Sequence, residues 1–234
     1  GLRDDAITFQ IRVPESQSDR CLWLWRERHD RARPRELTLM QLLYSPTSPY
    51  ARKCRILIRE LGLHDAVVEV EANPFDDAAG LLSANPLGRV PCLVLDDGRA
   101  LTESCLIAAR LNALAAEPWE SDWDDRRIEA LASGLLDLAV ARRVEMVRDA
   151  VLFSDFWIGR RERGILRALD ELETEAAAIP APLGLGALTL AMALDYLDFR
   201  FPESHWRQGR PGLERLHRAW ADRTSFTSTA PPLA

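Results

Sequence analysis

The pattern of apolar residues changes once along the chain, at Pro118-Trp119-Glu120-Ser121. Before this point, short apolar runs that suit strands alternate with segments of helical spacing. After it, apolar residues recur at helical spacing. This order predicts a small mixed sheet with helices on its faces, followed by an all-helical region. A chain of 234 residues can bury enough surface for one large or two small domains.

The first region, residues 38–116, has the order β-α-β-α-β-β-α. Its first apolar run ends in the turn-rich Ser45-Pro46-Thr47-Ser48-Pro49, and Gly62 stops the helix that follows. Asp96-Asp97-Gly98 suits the tight turn of a hairpin. The predicted strands are residues 39–44, 66–70, 92–95 and 99–101, and the predicted helices are residues 50–61, 76–83 and 102–115.

The second region, residues 122–234, predicts four helices centred on residues 128–138, 158–172, 185–197 and 211–223. Pro180-Ala181-Pro182 is expected to end the second of them. Short connections between such helices favour an antiparallel bundle. Gly184 and Gly186 lie at the start of the third helix, and a mobile helix entry is expected there.

Residues 1–37 differ from the rest and predict an irregular N-terminal extension. Arginines and acids alternate there without an apolar period. No apolar segment follows the charged start, which excludes a secretory signal, and the acids argue against a transit peptide. We hypothesise that Met40 is the natural start and that residues 1–39 are an added leader.

Composition narrows the class of protein further. A net charge of −6 argues against binding nucleic acid. The four cysteines include no C-x-x-C pair and fit a reduced, cytoplasmic environment. The longest nearly apolar stretch, residues 183–194, is shorter than the roughly 20 residues that cross a membrane. The four histidines are scattered, so no metal site is expected.

The dipeptide Ser48-Pro49 lies where the first predicted strand gives way to a helix. Serine suits a helix N-cap because its hydroxyl accepts an otherwise unpaired N–H, and proline suits the next position because it lacks one. Capping alone explains this dipeptide. The alternative interpretation is that the hydroxyl, at the positive end of the helix dipole, stabilises an anion such as a bound thiolate.

Two further dipeptides have both a structural and a functional interpretation. Pro91 opens an apolar strand, which is compatible with a plain strand entry or with a cis bond that leaves the Val90 backbone free to pair with a peptide-like ligand. Glu103 is either a first-turn acid that complements the helix dipole or, with Ser104, a holder for the charged ends of an amino acid.

Three motifs in this order and spacing resemble the N-terminal domain of the glutathione transferase superfamily. They are Ser48-Pro49-Tyr50-x-Arg52-Lys53, Asn85-Pro86-Leu87-Gly88-Arg89-Val90-Pro91 and Leu101-Thr102-Glu103-Ser104. The stretch from Ala193 to Pro202 is similar to the C-terminal domain of bacterial YibF-like members. The resemblance covers residues 38–234 and implies a thioredoxin-like α/β domain, residues 38–116, followed by an all-α domain, residues 122–234.

The resemblance also implies roles for individual residues. Ser48 would face the glutathione sulfur, Val90 would pair with the cysteinyl backbone before a cis Pro91, and Glu103 and Ser104 would hold the γ-glutamyl end. Arg89 is expected to reach the glycine carboxylate. Tyr44 is an alternative hydroxyl, although a strand residue there can also simply pack.

The pocket for the second substrate is expected between the domains, beside the helix that includes residues 135–143. Arg142 and Arg143 would either attract an anionic substrate there or form part of a solvated helix face.

The family resemblance implies a cytoplasmic, homodimeric detoxification enzyme that uses glutathione as cosubstrate and no metal. Its partners would be glutathione and a small electrophile, without nucleic acid or membrane. Two alternatives remain open: a non-catalytic glutathione-fold binding or regulatory protein, and a glutathione-dependent lyase, isomerase or dehalogenase.

The sequence departs from the family pattern in one place. Gly184 and Ala187 stand where the family has a Ser/Thr-x-x-Asp capping box. Loss of this box predicts a weaker second domain, with Thr189 as the cap of a shortened helix.

Overall fold

The computed structural model describes residues 39–176 and 184–232. The predicted extension over residues 1–37 and the predicted helix end at Pro180-Ala181-Pro182 lie outside these ranges. The described chain opens with a four-stranded mixed sheet of order β2-β1-β3-β4. Strands β1 and β2 are parallel, whereas β3 runs antiparallel to β1 and β4 antiparallel to β3. Their bounds are Met40–Tyr44, Val67–Glu71, Cys92–Val94 and Ala100–Thr102.

Three helices accompany the sheet and confirm the predicted order of elements. They are α1 (Pro49–Glu60), α2 (Ala79–Ala84) and α3 (Ser104–Asn112). Helix α2 begins later than predicted because the Asn73 side-chain oxygen accepts the Phe75 N–H at 3.1 Å, which commits this segment to a turn. Helix α3 also begins later, since Thr102 still pairs with Cys92 in the sheet.

The rest of the described chain is helical, as predicted. Helices α4 (Trp123–Met146), α5 (Asp155–Ala176), α6 (Leu185–Arg200) and α7 (Pro211–Ala221) are followed by the one-turn helix α8 (Thr224–Thr227). The sequence pattern had not predicted α8 or the short 3-10 helix Pro202–Ser204. A division into two domains at residues 116–122 stays a prediction. Among the residues described, no helix combines the length and apolarity that a membrane crossing requires.

A single apolar core runs through the sheet and the helices. Leu42 of β1 and Leu57 of α1 belong to the same buried cluster as Leu135 of α4, Leu188 of α6 and Trp220 of α7. Helix α1 packs on the sheet and also contacts α6 and α8. Because α1 touches both parts of the fold, its first turn lies beside α6.

Two basic residues of α1 form what we call the buried seam, the ion pairs that join α1 to the helical part. The Lys53 ammonium donates to Glu129 of α4 at 2.6 Å, and the side chains are 1% and 6% exposed. The Arg52 guanidinium pairs with Asp195 of α6 and donates to the Phe226 carbonyl at 3.0 Å. These cations of the Ser48 motif are therefore structural.

The N-terminus of α6 shows how the chain compensates for its missing capping box. Gly184 is the N-cap and supplies no side-chain cap. Instead, the Asp125 carboxylate of α4 accepts the Gly186 N–H at 2.9 Å. A Cβ on Gly186 would lie 2.5 Å from the Asp125 carbonyl oxygen, so glycine is required for this close approach. The cap of residues 184–186 comes from a neighbouring helix, and the expected mobility of this helix entry stays a prediction.

Thr189 does not cap α6. It is fully buried inside the helix, and its hydroxyl donates to the Leu185 carbonyl at 2.6 Å. The helix begins at Leu185, as the spacing predicted, and is not shortened.

Candidate functional site

A cavity of about 700 Å³ lies where β1 ends, β3 begins and β4 ends, opposite helices α4 and α6. The antiparallel register places Leu43, Cys92 and Thr102 side by side, so the segments that follow or precede them meet at one edge of the sheet. All six residues expected to bind glutathione or its sulfur line this cavity, namely Ser48, Arg89, Val90, Pro91, Glu103 and Ser104.

Ser48 is the N-cap of α1, with Pro49 in the first turn. Its hydroxyl oxygen accepts the Ala51 N–H at 3.2 Å. This bond uses a lone pair of the oxygen and leaves the O–H hydrogen to donate elsewhere. Capping and donation to an anion in the cavity are therefore compatible roles for the same hydroxyl.

Glu103 occupies the corner between β4 and α3 with φ +69°. This left-handed conformation is unfavourable for a residue with a side chain, and such strain is concentrated at ligand-binding sites. Glu103 is exposed, whereas Ser104 is buried at the start of α3. The corner thus presents a carboxylate, a hydroxyl and the first N–H groups of α3 to the cavity. Glu103 precedes the helix and is not the first-turn acid of the structural interpretation.

The loop that leads into β3 is held by Asn85, which is 1% exposed. Its side-chain amide donates to the Arg89 carbonyl at 2.8 Å, and its side-chain oxygen accepts the Leu87 N–H at 3.0 Å. The Val90–Pro91 peptide bond is cis. Asn85 is a positioning residue that the sequence analysis quoted within a motif without giving it a role.

Two tyrosines near Ser48 have different surroundings. Tyr44 ends β1 outside the cavity lining, with the Arg55 guanidinium 4.2 Å above its ring. Tyr50 does line the cavity, and its hydroxyl donates to Asp137 of α4 at 2.6 Å. Burial and this hydrogen bond raise the pKa of Tyr50 well above its ordinary value. Tyr50 therefore stays a neutral phenol whose proton is already engaged.

Helices α4 and α6 form the opposite side of the cavity, which we call the helical wall. Helix α4 contributes one face, with Asp137, Val140, Ala141, Arg143, Val144 and Val147. A cavity therefore lies beside this helix where a pocket was expected, and its use by a second substrate stays a prediction. Helix α6 adds Tyr196 and Arg200, which are one helical turn apart.

The two neighbouring arginines of α4 have separate environments. Arg143 lines the cavity. Arg142 lies over the Phe201 ring at 4.3 Å and pairs with Glu162 at 3.4 Å. Tyr196 and Arg200 were not predicted as site residues, although their i, i+4 spacing is visible in the stretch that carries the family resemblance.

The lining combines hydroxyls, two exposed acids and three guanidiniums with an apolar strip on α4. Such a set suits a small, zwitterionic or anionic ligand that is held by hydrogen bonds at one side and by apolar contact at the other. Within residues 39–176 and 184–232, no group of three or more His, Cys, Asp or Glu side chains is arranged to hold a metal ion.

Comparison with known proteins agrees with this geometry. Residues 47–114 match the family model of the glutathione S-transferase N-terminal domain. The uncharacterised GST-like protein YibF of Escherichia coli K12 is 32% identical over 204 residues, which is 83% of this chain and 100% of that protein.

Two solved structures are similarly related. A glutathione S-transferase from Methylobacillus flagellatus KT, solved with glutathione bound, is 32% identical with a TM-score of 0.76, over 82% of this chain and 100% of that one. A family member from Pseudomonas fluorescens Pf-5, also with glutathione bound, is 33% identical with a TM-score of 0.77, over 82% and 99%. A second structure of the Pseudomonas protein contains S-(propanoic acid)-glutathione.

The match to YibF spans the whole length of that protein, and the solved relatives share the fold from the sheet to the last helices. Together they show that the chain belongs to the glutathione transferase family, among its bacterial YibF-like members.

Proposed function

We propose that this chain is a glutathione transferase that binds glutathione on the sheet side of the cavity and presents its thiolate to a small electrophile. The observation that carries the proposal is the meeting of Ser48, Val90, Glu103 and Ser104 around one cavity. Relatives at 32–33% identity bind glutathione, which supports the same ligand here.

Ser48 is the proposed catalytic residue because its O–H is able to donate to the sulfur. A hydrogen bond to a charged atom contributes roughly 1.5–3 kcal/mol, and the dipole of α1 about 1–2 kcal/mol. At 1.36 kcal/mol per pKa unit, these contributions would lower the pKa of a thiol from about 8.5 to about 5–7. The bound thiol would then be ionised at neutral pH, and its anion would be the nucleophile.

The other sheet-side residues would hold the tripeptide. In the proposed pose, the Val90 backbone pairs with the cysteinyl residue before Pro91, and Glu103 binds the γ-glutamyl ammonium. Ser104 and the first N–H groups of α3 bind the γ-glutamyl carboxylate, and Arg89 reaches the glycine carboxylate. These contacts would fix the sulfur beside Ser48, so positioning and stabilisation of the anion together supply the catalysis.

The electrophile would lie against the helical wall, next to Val140 and Val144. The Pseudomonas relative binds a glutathione whose sulfur carries a propanoic acid group, which supports a substituent on the sulfur in this cavity. The proposal includes the family's cytoplasmic location, homodimeric state and detoxification role. It also includes the two-domain division of the chain.

Replacement of Ser48 tests the proposal. Ser48→Ala should lower the rate of conjugation of 1-chloro-2,4-dinitrobenzene about 10- to 100-fold while glutathione binding, measured by calorimetry, changes little. Ser48→Thr keeps a hydroxyl and should retain most activity. Thiolate absorbance in the ultraviolet should be seen with bound glutathione near pH 7 and be reduced in Ser48→Ala. A melting curve confirms that loss of the N-cap has not unfolded the protein.

The other outcomes are informative. Unchanged turnover in Ser48→Ala would move the role to backbone N–H groups, because the alternative hydroxyl, Tyr44, lies outside the cavity lining. Glutathione binding without conjugation of any electrophile in a broad panel would favour the non-catalytic binding protein. Failure to bind glutathione would exclude the proposed function.

A further inference from the structure

Helices α4 and α6 bring two arginines, Arg143 and Arg200, to the helical wall of the cavity. Within the described ranges, neither guanidinium has an acidic partner. Arg200 lies against the Phe199 ring at 4.0 Å, and its Nε is buried without a hydrogen-bond partner among these residues. A guanidinium withdrawn from water without a counter-ion is unfavourable, so this pair is suited to an anion that arrives with a ligand.

Tyr196 indicates where the two cations lie. Burial raises the pKa of Tyr196, and the charges of Arg200 and Arg143 both oppose that rise, so both guanidiniums lie near its phenol. Tyr196 also lines a small recess together with Ser48 and Pro49. The cationic part of the helical wall is therefore close to the first turn of α1, where the sulfur is proposed to lie.

In the described residues, the acids of the cavity form no ion pairs with these two cations. Asp137 is on the same wall but accepts the Tyr50 hydroxyl at 2.6 Å. Glu103 is on the sheet side, at the start of α3. The two acids thus lie beside Tyr50 and at the start of α3, and in the described chain neither forms an ion pair with Arg143 or Arg200.

We propose that Arg143 and Arg200 bind a carboxylate of the second substrate, so that the preferred electrophiles are small and negatively charged. This inference rests on the proposed function and names its substrate class. A planar, bidentate donor such as arginine matches a carboxylate, and Val140 and Val144 would contact the apolar body of the same molecule.

An aryl halide that carries a carboxylate fits this description and gives a balanced reaction. The glutathione sulfur forms a C–S bond to the ring carbon, the C–Cl bond breaks, and chloride leaves with the bonding electron pair. The thiol proton passes to solvent. The carboxylate takes no part in the bond changes and serves to orient the ring.

A matched pair of electrophiles tests the inference: 4-chloro-3-nitrobenzoate and the neutral 4-chloro-3-nitrobenzamide. The wild-type protein should have a higher kcat/KM for the benzoate. Arg143→Gln and Arg200→Gln should each lower that value about 10- to 100-fold, the size of one hydrogen-bonded charge interaction. Both should leave kcat/KM for the benzamide and KM for glutathione within about twofold. Added salt should weaken the preference for the benzoate.

Two further variants separate charge recognition from a structural effect. Arg143→Lys keeps the charge and should restore part of the preference for the benzoate. Arg142→Gln is the matched control, because Arg142 is the neighbouring arginine of α4 and lies outside the cavity lining. It should leave the ratio of the two kcat/KM values unchanged.

Two results would overturn the inference. An equal loss for both electrophiles would mean that the arginines serve the fold of the wall or the thiolate, and not a carboxylate of the second substrate. A raised KM for glutathione with no discrimination between electrophiles would assign the arginines to glutathione's own glycine carboxylate.

A binding measurement distinguishes failure of this inference from failure of the proposed function. If neither electrophile is conjugated, calorimetry can still measure how tightly the cavity binds the two preformed glutathione conjugates, that of the benzoate and that of the benzamide. Tighter binding of the benzoate conjugate that is lost in Arg143→Gln and Arg200→Gln would support carboxylate recognition although the transferase reaction had failed. Equal binding of both conjugates, or binding of neither, would overturn it.

Discussion

The buried seam and the helical wall both place basic side chains between α1 and the helical part, but only the seam gives each cation an acidic partner. In the seam, the side chains of Arg52 and Lys53 are 6% and 1% exposed, and each has an acid from α6 or α4 as its partner. In the wall, Arg143 and Arg200 line an open cavity and have no such acid in the described residues. A cation whose partner is built into the fold serves stability, whereas a cation without one is available to a ligand.

Lys53 illustrates the first case, since it is the only lysine in a chain whose basic residues are otherwise arginine. We interpret this preference for arginine over lysine as a codon bias of the genome. The position of the exception has a physical explanation, because a compact ammonium fits beside Glu129 and Cys105, to which it donates at 2.6 Å and 3.6 Å.

The largest effect on stability is expected from breaking the Lys53–Glu129 pair. Lys53→Met should lower the free energy of unfolding by about 3–5 kcal/mol, because it leaves the Glu129 carboxylate buried and unpaired. Urea denaturation at pH 7 measures the loss. The double variant Lys53→Met/Glu129→Leu should recover most of it, since an apolar pair replaces the two charges. A loss of less than about 1 kcal/mol in the single variant would contradict the structural role of the seam.

A smaller effect is expected at Asp125, a charge whose partner is a backbone N–H of α6. Asp125→Ala should destabilise the protein by about 0.5–2 kcal/mol, as other lost helix caps do. Asp125→Asn should not destabilise the protein at pH 7. Burial raises the pKa of Asp125 against the hydrogen bonds it accepts, so the fold already disfavours the charged form, and an amide keeps the acceptor for Gly186. Thermal unfolding of the three proteins at pH 7 compares them.

The sign of the pH dependence at Asp125 follows from the raised pKa. The protonated carboxyl contributes stability that is present below the unfolded-state pKa of about 4 and is lost as the pH rises through the folded-state value. The stability of Asp125→Asn relative to the wild type should therefore fall in acid, as the wild-type carboxyl becomes protonated. A variant that destabilised the protein equally at all pH values would contradict this account.

The ion pair between Glu60 and Arg223, at the end of α1, should give the stability of the protein the opposite pH dependence. Glu60, at the end of α1, accepts hydrogen bonds from Arg223 and Ser225. Burial alone would raise the pKa of Glu60, but these bonds and the Arg223 charge outweigh it and hold the pKa below its ordinary value. The stability that Glu60 contributes is present above its unfolded-state pKa of about 4.3 and lost as the pH falls through the folded-state value.

Glu60→Gln should therefore make the loss of stability below about pH 4 shallower. At pH 7 it should cost no more than about 1 kcal/mol, because the Arg223 side chain is 35% exposed and solvent screens the pair. Urea denaturation at a series of pH values measures both effects. If the free energy of unfolding of Glu60→Gln fell below about pH 4 as steeply as that of the wild type, the pairing of Glu60 with Arg223 would be contradicted.

The sequence predicted the sheet side of the cavity better than the helical wall, and the reason is physical. Ser48, Val90 and Glu103 lie at strand ends, where short contiguous motifs determine the local turn. The wall depends on which faces α4 and α6 present to each other. Arg142 and Arg143 are neighbours in sequence, but one residue turns a helix by about 100°, so only packing decides which one reaches the cavity.

The partners of the charged groups, like the residues of the helical wall, could not be predicted from the sequence. The cap that Asp125 provides for α6 links residues 61 positions apart, and the pairing of Arg52 with Asp195 links residues 143 apart. The sequence showed the missing capping box and the basic residues of the motif. It could not show that another helix supplies the partner, because no local pattern carries that information.

The smallest effect on stability is expected at the helical wall. Arg143→Gln and Arg200→Gln should each change the free energy of unfolding by no more than about 0.5 kcal/mol, because neither charge has an acidic partner in the described chain to leave behind. A slight gain is consistent with the comparison, since removing a half-buried cation that has no acidic partner in the described chain removes a cost that is retained for binding. Urea denaturation without ligand measures this change, with Lys53→Met as the matched opposite case. A loss of several kcal/mol at either arginine would mean that the wall, like the seam, is built for the fold.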